Sequence, residues 1–173
     1  MLKMITRKNS IIALAIGAVM ILLDQISKYL VIERLKPIVD YPLWDGVFHL
    51  HYAQNTGAAF SMFSGSRWIF VGLTGVVIIA LVLITVFKKV PNHMMCYVPL
   101  GLIIGGAIGN FIDRIAVGYV VDFLYFKLIN FAIFNIADSA LVVGSILLCI
   151  YLLFIYKEAP APLQPAIEEK DLS

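Results

Sequence analysis

The sequence predicts an all-α membrane protein: four transmembrane helices with a small β-sheet on the outer surface. Three observations lead there. The 173-residue chain is 61% hydrophobic and only 14% charged, whereas a soluble domain is about half apolar and about a quarter charged. The excess is too large for one interior of this size, so much of it must face lipid. Four apolar stretches are also long enough to cross a hydrocarbon core, which takes about 20 helical residues. Finally, the ionisable residues within these stretches gather at one level. The formal charge of +2 comes without a basic stripe carrying interleaved aromatics, so no nucleic-acid partner is expected.

The helices are expected over Ile11–Ile32, Arg67–Phe87, Tyr97–Ile115 and Asp138–Tyr156. Ile11–Leu23 alone, after a basic start, has the length of a signal-peptide core. No small-x-small cleavage site follows, and the apolar pattern resumes beyond Asp24, so a retained helix is expected. Lys3, Arg7 and Lys8 precede the first helix, Lys88 and Lys89 follow the second, and Lys157 follows the fourth. Four crossings put these on one side and Arg34, Lys36, Arg67 and Lys127 on the other. That modest bias favours cytosolic termini. Residues 157–173 are Pro-rich and charged, which predicts a disordered cytoplasmic tail.

The outer segments carry strand signals. Trp44–Tyr52 (WDGVFHLHY) alternates, and Tyr119–Phe126 and Phe131–Phe134 flank a polar break at Lys127–Asn130. Together these predict a sheet lying on the membrane surface. Trp44, Tyr52, Trp68, Tyr119 and Tyr125 suit the interfacial belt. Cys96 and Cys149 fall at the cytosolic end of one helix and inside another, so they read as small apolar fillers.

Depth carries the functional argument. A helix rises about 1.5 Å per residue, so Asp24 sits roughly 20 Å above Ile11, in the outer third of the first helix. Asn110, Asp113 and Arg114 lie near the top of the third helix. Asp138 opens the fourth, with Asn135 just before it and Asp122 in the preceding loop. An unpaired charge near mid-bilayer costs about 2.5–3.5 kcal/mol on insertion scales. Snorkelling accounts for one such residue, but poorly for four aspartates, several asparagines and an arginine at one depth. Asp24 and Lys28 are spaced i, i+4 and can pair, which gives them a structural or positioning role. Asp113 and Arg114 are adjacent and need separate partners; the planar fork of Arg114 suits a carboxylate or a backbone carbonyl. Gly101, Gly105 and Gly109 form a stripe that lets a neighbouring helix approach closely.

Several chemistries are disfavoured. His93 is placed in the cytosol, and neither His49 nor His51 on the outer loop has an evident nucleophilic partner. A Ser–Lys arrangement of Lys28 with Ser61 or Ser139 must compete with Asp24 for the lysine. Carboxylate chemistry remains, with Asp122 and Asp138 as the natural pair. Two such groups close together in a low-dielectric site share a proton. One can then deprotonate water while the other protonates a scissile carbonyl.

Five segments in order carry a family resemblance: DQISK at Asp24–Lys28, NTGAAF at Asn55–Phe60, GNFIDR at Gly109–Arg114, VVDF at Val120–Phe123 and FNIAD at Phe134–Asp138. On these the chain resembles the lipoprotein signal peptidases, or signal peptidase II, over Ile11–Tyr156. The resemblance implies a single peptidase domain over residues 1–156, with Asp122 and Asp138 as its catalytic dyad. It implies that Asn55, Gly57, Asn110, Asp113, Arg114 and Asn135 shape and support the site, and that no cofactor or metal is needed. The implied substrate is a bacterial prolipoprotein whose cysteine already carries diacylglycerol, cut on the amino side of that cysteine. The enzyme would sit in the inner membrane, in contact with lipid, as a monomer. Gly57–Gly65 is expected to act as a lid.

Two other classes compete. A transporter with a proton relay predicts ionisable residues at several depths, whereas here they stop at the outer third. A magnesium-dependent lipid transferase predicts a tight acidic run such as D-x-x-D on one helix, which is missing, and would need its donors on the other side.

Overall fold

The computed structural model describes residues 2–57, 67–87, 91 and 93–156. Four α-helices form: α1 (Leu2–Leu30), α2 (Arg67–Val86), α3 (Met94–Ala116) and α4 (Ile136–Ile150). Helix α1 continues through a π-helical turn at Val31–Leu35, and α4 through another at Tyr151–Ile155. Lys8–Leu35, Met94–Ala116 and Ile136–Ile155 are long and apolar enough to span a membrane, while α2 contributes the shorter apolar stretch Val71–Val86. On α1, Asp24, Lys28, Val31 and Leu35 recur at helical spacing and are buried, whereas Leu22, Ile26 and Leu30 are exposed. The polar residues therefore occupy the protein-facing side, and the apolar ones face outward. Of the expected lid, Gly57–Gly65, only Gly57 lies among the described residues, and the expected tail, residues 157–173, lies outside them.

Three helix starts lie earlier than the hydropathy pattern predicts. Helix α1 begins at Leu2 instead of Ile11, through a polar first stretch that hydropathy does not register, and α3 and α4 begin early because of capping. His93 accepts a hydrogen bond from the Met95 amide at 3.2 Å, so α3 begins at Met94. Asn135 caps α4, which places Asp138 in the first turn instead of at the boundary. Helix α3 is the central element, packing against α1, α4 and α2. A Cβ added at Gly105 would lie 2.7 Å from the Gly17 carbonyl oxygen, so α1 and α3 meet backbone to backbone. Ala13, Cys96, Tyr97 and Tyr151 close the core at the far end from the sheet. Cys96 and Cys149 are both free thiols.

The sheet is antiparallel, in the order β1 (Asp40–Trp44), β2 (Phe48–Asn55), β3 (Val120–Tyr125). The expected Trp44–Tyr52 strand is corrected to a hairpin. The chain reverses at Asp45–Gly46, where Gly46 has φ +72°, a conformation that side-chain-bearing residues rarely adopt. Phe131–Phe134 adds only an isolated bridge, Leu124 to Phe134, because the Phe131 amide turns back onto the Phe126 carbonyl. Val121 and Phe123 of β3 pack with Val31 and Leu35, seating the sheet on the end of α1.

Candidate active site

Register places the first carboxylate. Asp122 of β3 faces Ala53 of β2, and Asn55 lies two residues further along β2, on the same face. The Asn55 amide donates to Asp122 Oδ2 at 3.0 Å, and Asn135 Nδ2 donates to Asp122 Oδ1 at 2.7 Å. Asp122 is 2% exposed. Burial, reinforced by the charge of Asp138, pushes its carboxyl up to about 7.

The second carboxylate is held by the start of α4. Asn135 and Asp138 form a reciprocal capping box: Asp138 N donates to Asn135 Oδ1 at 2.9 Å, and Asn135 N to Asp138 Oδ2 at 3.2 Å. Asn110 Nδ2 donates to the remaining oxygen, Asp138 Oδ1, at 2.7 Å. Asn110 Oδ1 in turn accepts from Lys28 Nζ at 3.0 Å and from Asn135 Nδ2 at 3.1 Å. Two donors on one side and a carboxylate on the other fix the orientation of this amide.

Beneath these amides lies a buried ion cluster. Lys28 Nζ is 2.8 Å from Asp24 Oδ2 and 2.9 Å from Asp113 Oδ2, and all three residues are buried. Two carboxylates and one ammonium out of water are tolerable only with further hydrogen bonds, and these are present. Asp24 Oδ1 accepts from the Ala137 amide at 3.0 Å, and Asp113 Oδ2 from the Val121 amide at 3.1 Å. The cluster thus ties α1 and α3 to the first turn of α4 and to β3. Lys28 is fully engaged here, and Ser139 Oγ donates to the Asn135 carbonyl, so these two form no Ser–Lys couple. Arg114 points elsewhere and donates to the Gly57 carbonyl at 3.2 Å. Gly57 N also donates to Asn55 Oδ1 at 3.1 Å.

The expected site residues Asp24, Lys28, Asn55, Gly57, Asn110, Asp113, Arg114, Asp122, Asn135 and Asp138 therefore fall in one connected network. One member was missed. Gln25 Nε2 donates to Asp113 Oδ1 at 3.0 Å and to the Gly109 carbonyl and Asp24 at 3.2 Å. It lies inside the DQISK segment, but an uncharged amide gives no depth signal of its own.

Asp122 and Asp138 line one cavity of about 340 Å³, together with Asn55, Asn110, Arg114 and Leu141. Among the described residues, no group of three or more His, Cys, Asp or Glu side chains is arranged to hold a metal ion. Two carboxylates on one cavity, each receiving amide donors, can exchange a proton with a molecule placed between them.

Fold and site together define an integral membrane protein with a paired-carboxylate centre at the junction of its helices and its sheet. The chain belongs to the signal peptidase (SPase) II family, which it matches over residues 16–154. It is 44% identical over 142 residues to the lipoprotein signal peptidase of Caldanaerobacter subterraneus subsp. tengcongensis, covering 82% of this chain and 96% of that one. It is 48% identical over 134 residues to the lipoprotein signal peptidase of Halothermothrix orenii, covering 78% and 90%. A solved bacterial membrane enzyme, determined by the in meso method at 2.3 Å resolution, superposes with a TM-score of 0.76 at 34% identity, over 82% of this chain and 87% of that one. Membership of this family makes the chain a protease that processes lipoproteins, and its long apolar helices fit a bacterial membrane.

Proposed function

We propose that this peptidase is of the aspartyl type and cuts diacylglyceryl-modified prolipoproteins on the amino side of the lipidated cysteine, without a metal. The observation that carries this reading is Asn135, whose amide holds Asp122 while its carbonyl and backbone hold Asp138. Asp122, raised to about 7, retains its proton in about half of the molecules at neutral pH. Asp138 takes a proton from water, whose oxygen attacks the scissile carbonyl carbon, and Asp122 gives its proton to the carbonyl oxygen. The gem-diol then collapses: Asp138 returns a proton to the leaving nitrogen, and Asp122 recovers one from the diol. Asn55, Asn110 and Asn135 orient the carboxylates, the Asp24–Lys28–Asp113 cluster positions Asn110, and Arg114 holds the chain at Gly57.

In this reading residues 1–156 form one domain of four crossings, with the sheet on the periplasmic side and both termini in the cytoplasm. The enzyme works as a monomer in contact with lipid. A lipid-anchored cysteine and an apolar signal peptide deliver the bond to the membrane surface, which is the depth of the two aspartates.

The test is cleavage of a diacylglyceryl-modified prolipoprotein by wild type, Asp122→Asn and Asp138→Asn, each with and without chelator. Chelator-resistant wild-type cleavage, with both variants folded and inactive, is expected. Cleavage by either variant would remove the dyad, and loss of wild-type activity with chelator would replace it with metal chemistry.

A further inference from the structure

A second cavity, of about 490 Å³, adjoins the first at Asp122. The two cavities share Asn55, Asp122 and residues 131–133, so a chain crossing Asp122 would run from one into the other. Their chemistry differs. The first continues along α4 into an apolar groove at Phe134, Val142 and Val143. The second lies on the sheet and presents His51, Gln54, Asn55, Tyr125 and Asn130. A lipoprotein precursor has the same polarity: an apolar signal segment and lipid on one side of the cut, and the polar mature chain on the other.

His51 is built into this polar cavity. Its Nδ1 lies 3.0 Å from Asp40 Oδ1. The other oxygen of Asp40 is 2.8 Å from His49 Nδ1. Hydrogen bonds from these two histidines hold the Asp40 carboxyl below its ordinary range, so Asp40 is ionised and His51 Nδ1 carries a proton toward it. Only Nε2 is then left for a ligand. It accepts a hydrogen bond when the ring is neutral and donates one, with a positive charge, when the ring is protonated. The titratable groups around the ring are Asp40 on β1, His49 on β2, Asp45 in the hairpin turn (3.7 Å from His49 Nε2), and Tyr125 and Asp122 on β3.

We infer that the sheet-side cavity receives the mature segment just after the lipidated cysteine, and that His51, positioned by Asp40, makes its side-chain preference pH-dependent. An acidic side chain is favoured when the imidazole is charged, and a lysine is tolerated when it is neutral. This rests on the peptidase reading and adds a specificity-determining residue to it.

The test uses full-length enzyme and two prolipoproteins with identical signal peptide and lipid, differing only in aspartate or lysine at the positions following the cysteine. Because imidazoles titrate between about pH 5 and 8, the ratio of kcat/KM for the two is measured across that range. The ratio should shift toward the acidic substrate by about fivefold as pH falls, the size of a partly exposed charge pair. His51→Gln should flatten the ratio. Asp40→Asn should reduce the shift of the ratio, because the imidazole loses the carboxylate that positions it. The titration of Asp122 affects both substrates and cancels in the ratio. A flat ratio in wild type, or a pH-dependent one that survives in His51→Gln, would overturn the inference while leaving the peptidase standing. Failure of wild type to cut either substrate would overturn both.

Discussion

Asn135 and Asp138 each cap the other: the side-chain oxygen of Asn135 receives the Asp138 amide at 2.9 Å, and Asp138 Oδ2 receives the Asn135 amide at 3.2 Å. The box that starts α4 is thus the same set of bonds that aims one of the two carboxylates. Replacing Asn135 separates the two roles. Asn135→Ala should lower stability by about 1 kcal/mol through the lost cap and activity by roughly 10²-fold through misplacement of Asp122 and Asp138. Asn135→Ser restores a cap but not the amide that reaches Asp122. Thermal unfolding in detergent should recover with Ser, and cleavage should not.

The pH dependence of cleavage should follow Asp122. Its carboxyl is raised from 3.8 to about 7, first by burial and then by Asp138. Activity that needs this proton is present below pH 7 and falls as pH rises through it, so the kcat/KM profile should show an alkaline limb there. Stability has the same sign. Between about pH 4 and pH 7 the folded state holds a proton that the unfolded chain has released, so stability falls as pH rises across that window. Asp122→Asn should abolish the contribution of this residue to that slope.

The lysine of the ion cluster is expected to matter more for folding than for chemistry. Lys28→Met leaves Asp24 and Asp113 buried without their cation, and breaking a buried pair in this way costs about 3–5 kcal/mol. The corresponding loss should appear in denaturant unfolding in detergent. The triple variant Lys28→Met, Asp24→Leu, Asp113→Leu should recover part of that loss.

Helix contact can be tested at Gly109, where an added Cβ would lie 2.5 Å from Asp24 Oδ2. Gly109→Ala should displace that carboxylate from Lys28 and from the Ala137 amide, destabilising by about 1–3 kcal/mol. Gly72, where an added Cβ meets nothing within 4 Å, is the control: Gly72→Ala should be neutral or slightly stabilising.

The four helices were legible because hydropathy reports burial in lipid directly, and the level of the aspartates was legible because helical rise converts position into height. Partnership was less so. The i, i+4 pair Asp24–Lys28 could be read within one helix, but the second partner of Lys28, Asp113, comes from α3 and is brought there by close packing. The hairpin was missed because the alternation of WDGVFHLHY hides its turn, although Asp45–Gly46 is a strong turn dipeptide. The starts of α3 and α4 shifted by a few residues because His93 and Asn135 cap from outside the apolar runs. Helix α1 starts at Leu2 because the polar residues before Ile11 are helical without adding to the hydropathy signal.

The backbone contact of Gly105 with Gly17 makes α1 and α3 a single plank. A plank of this kind cannot gape, because any separation of its halves would open a void that neither side chains nor lipid tails could fill. Under the proposed function, a lipid-borne peptide would approach from the other flank, where Val142 and Val143 of α4 face outward beside Phe134 and Asp138. The close-packed side would then serve as a doorframe that keeps the carboxylates in place.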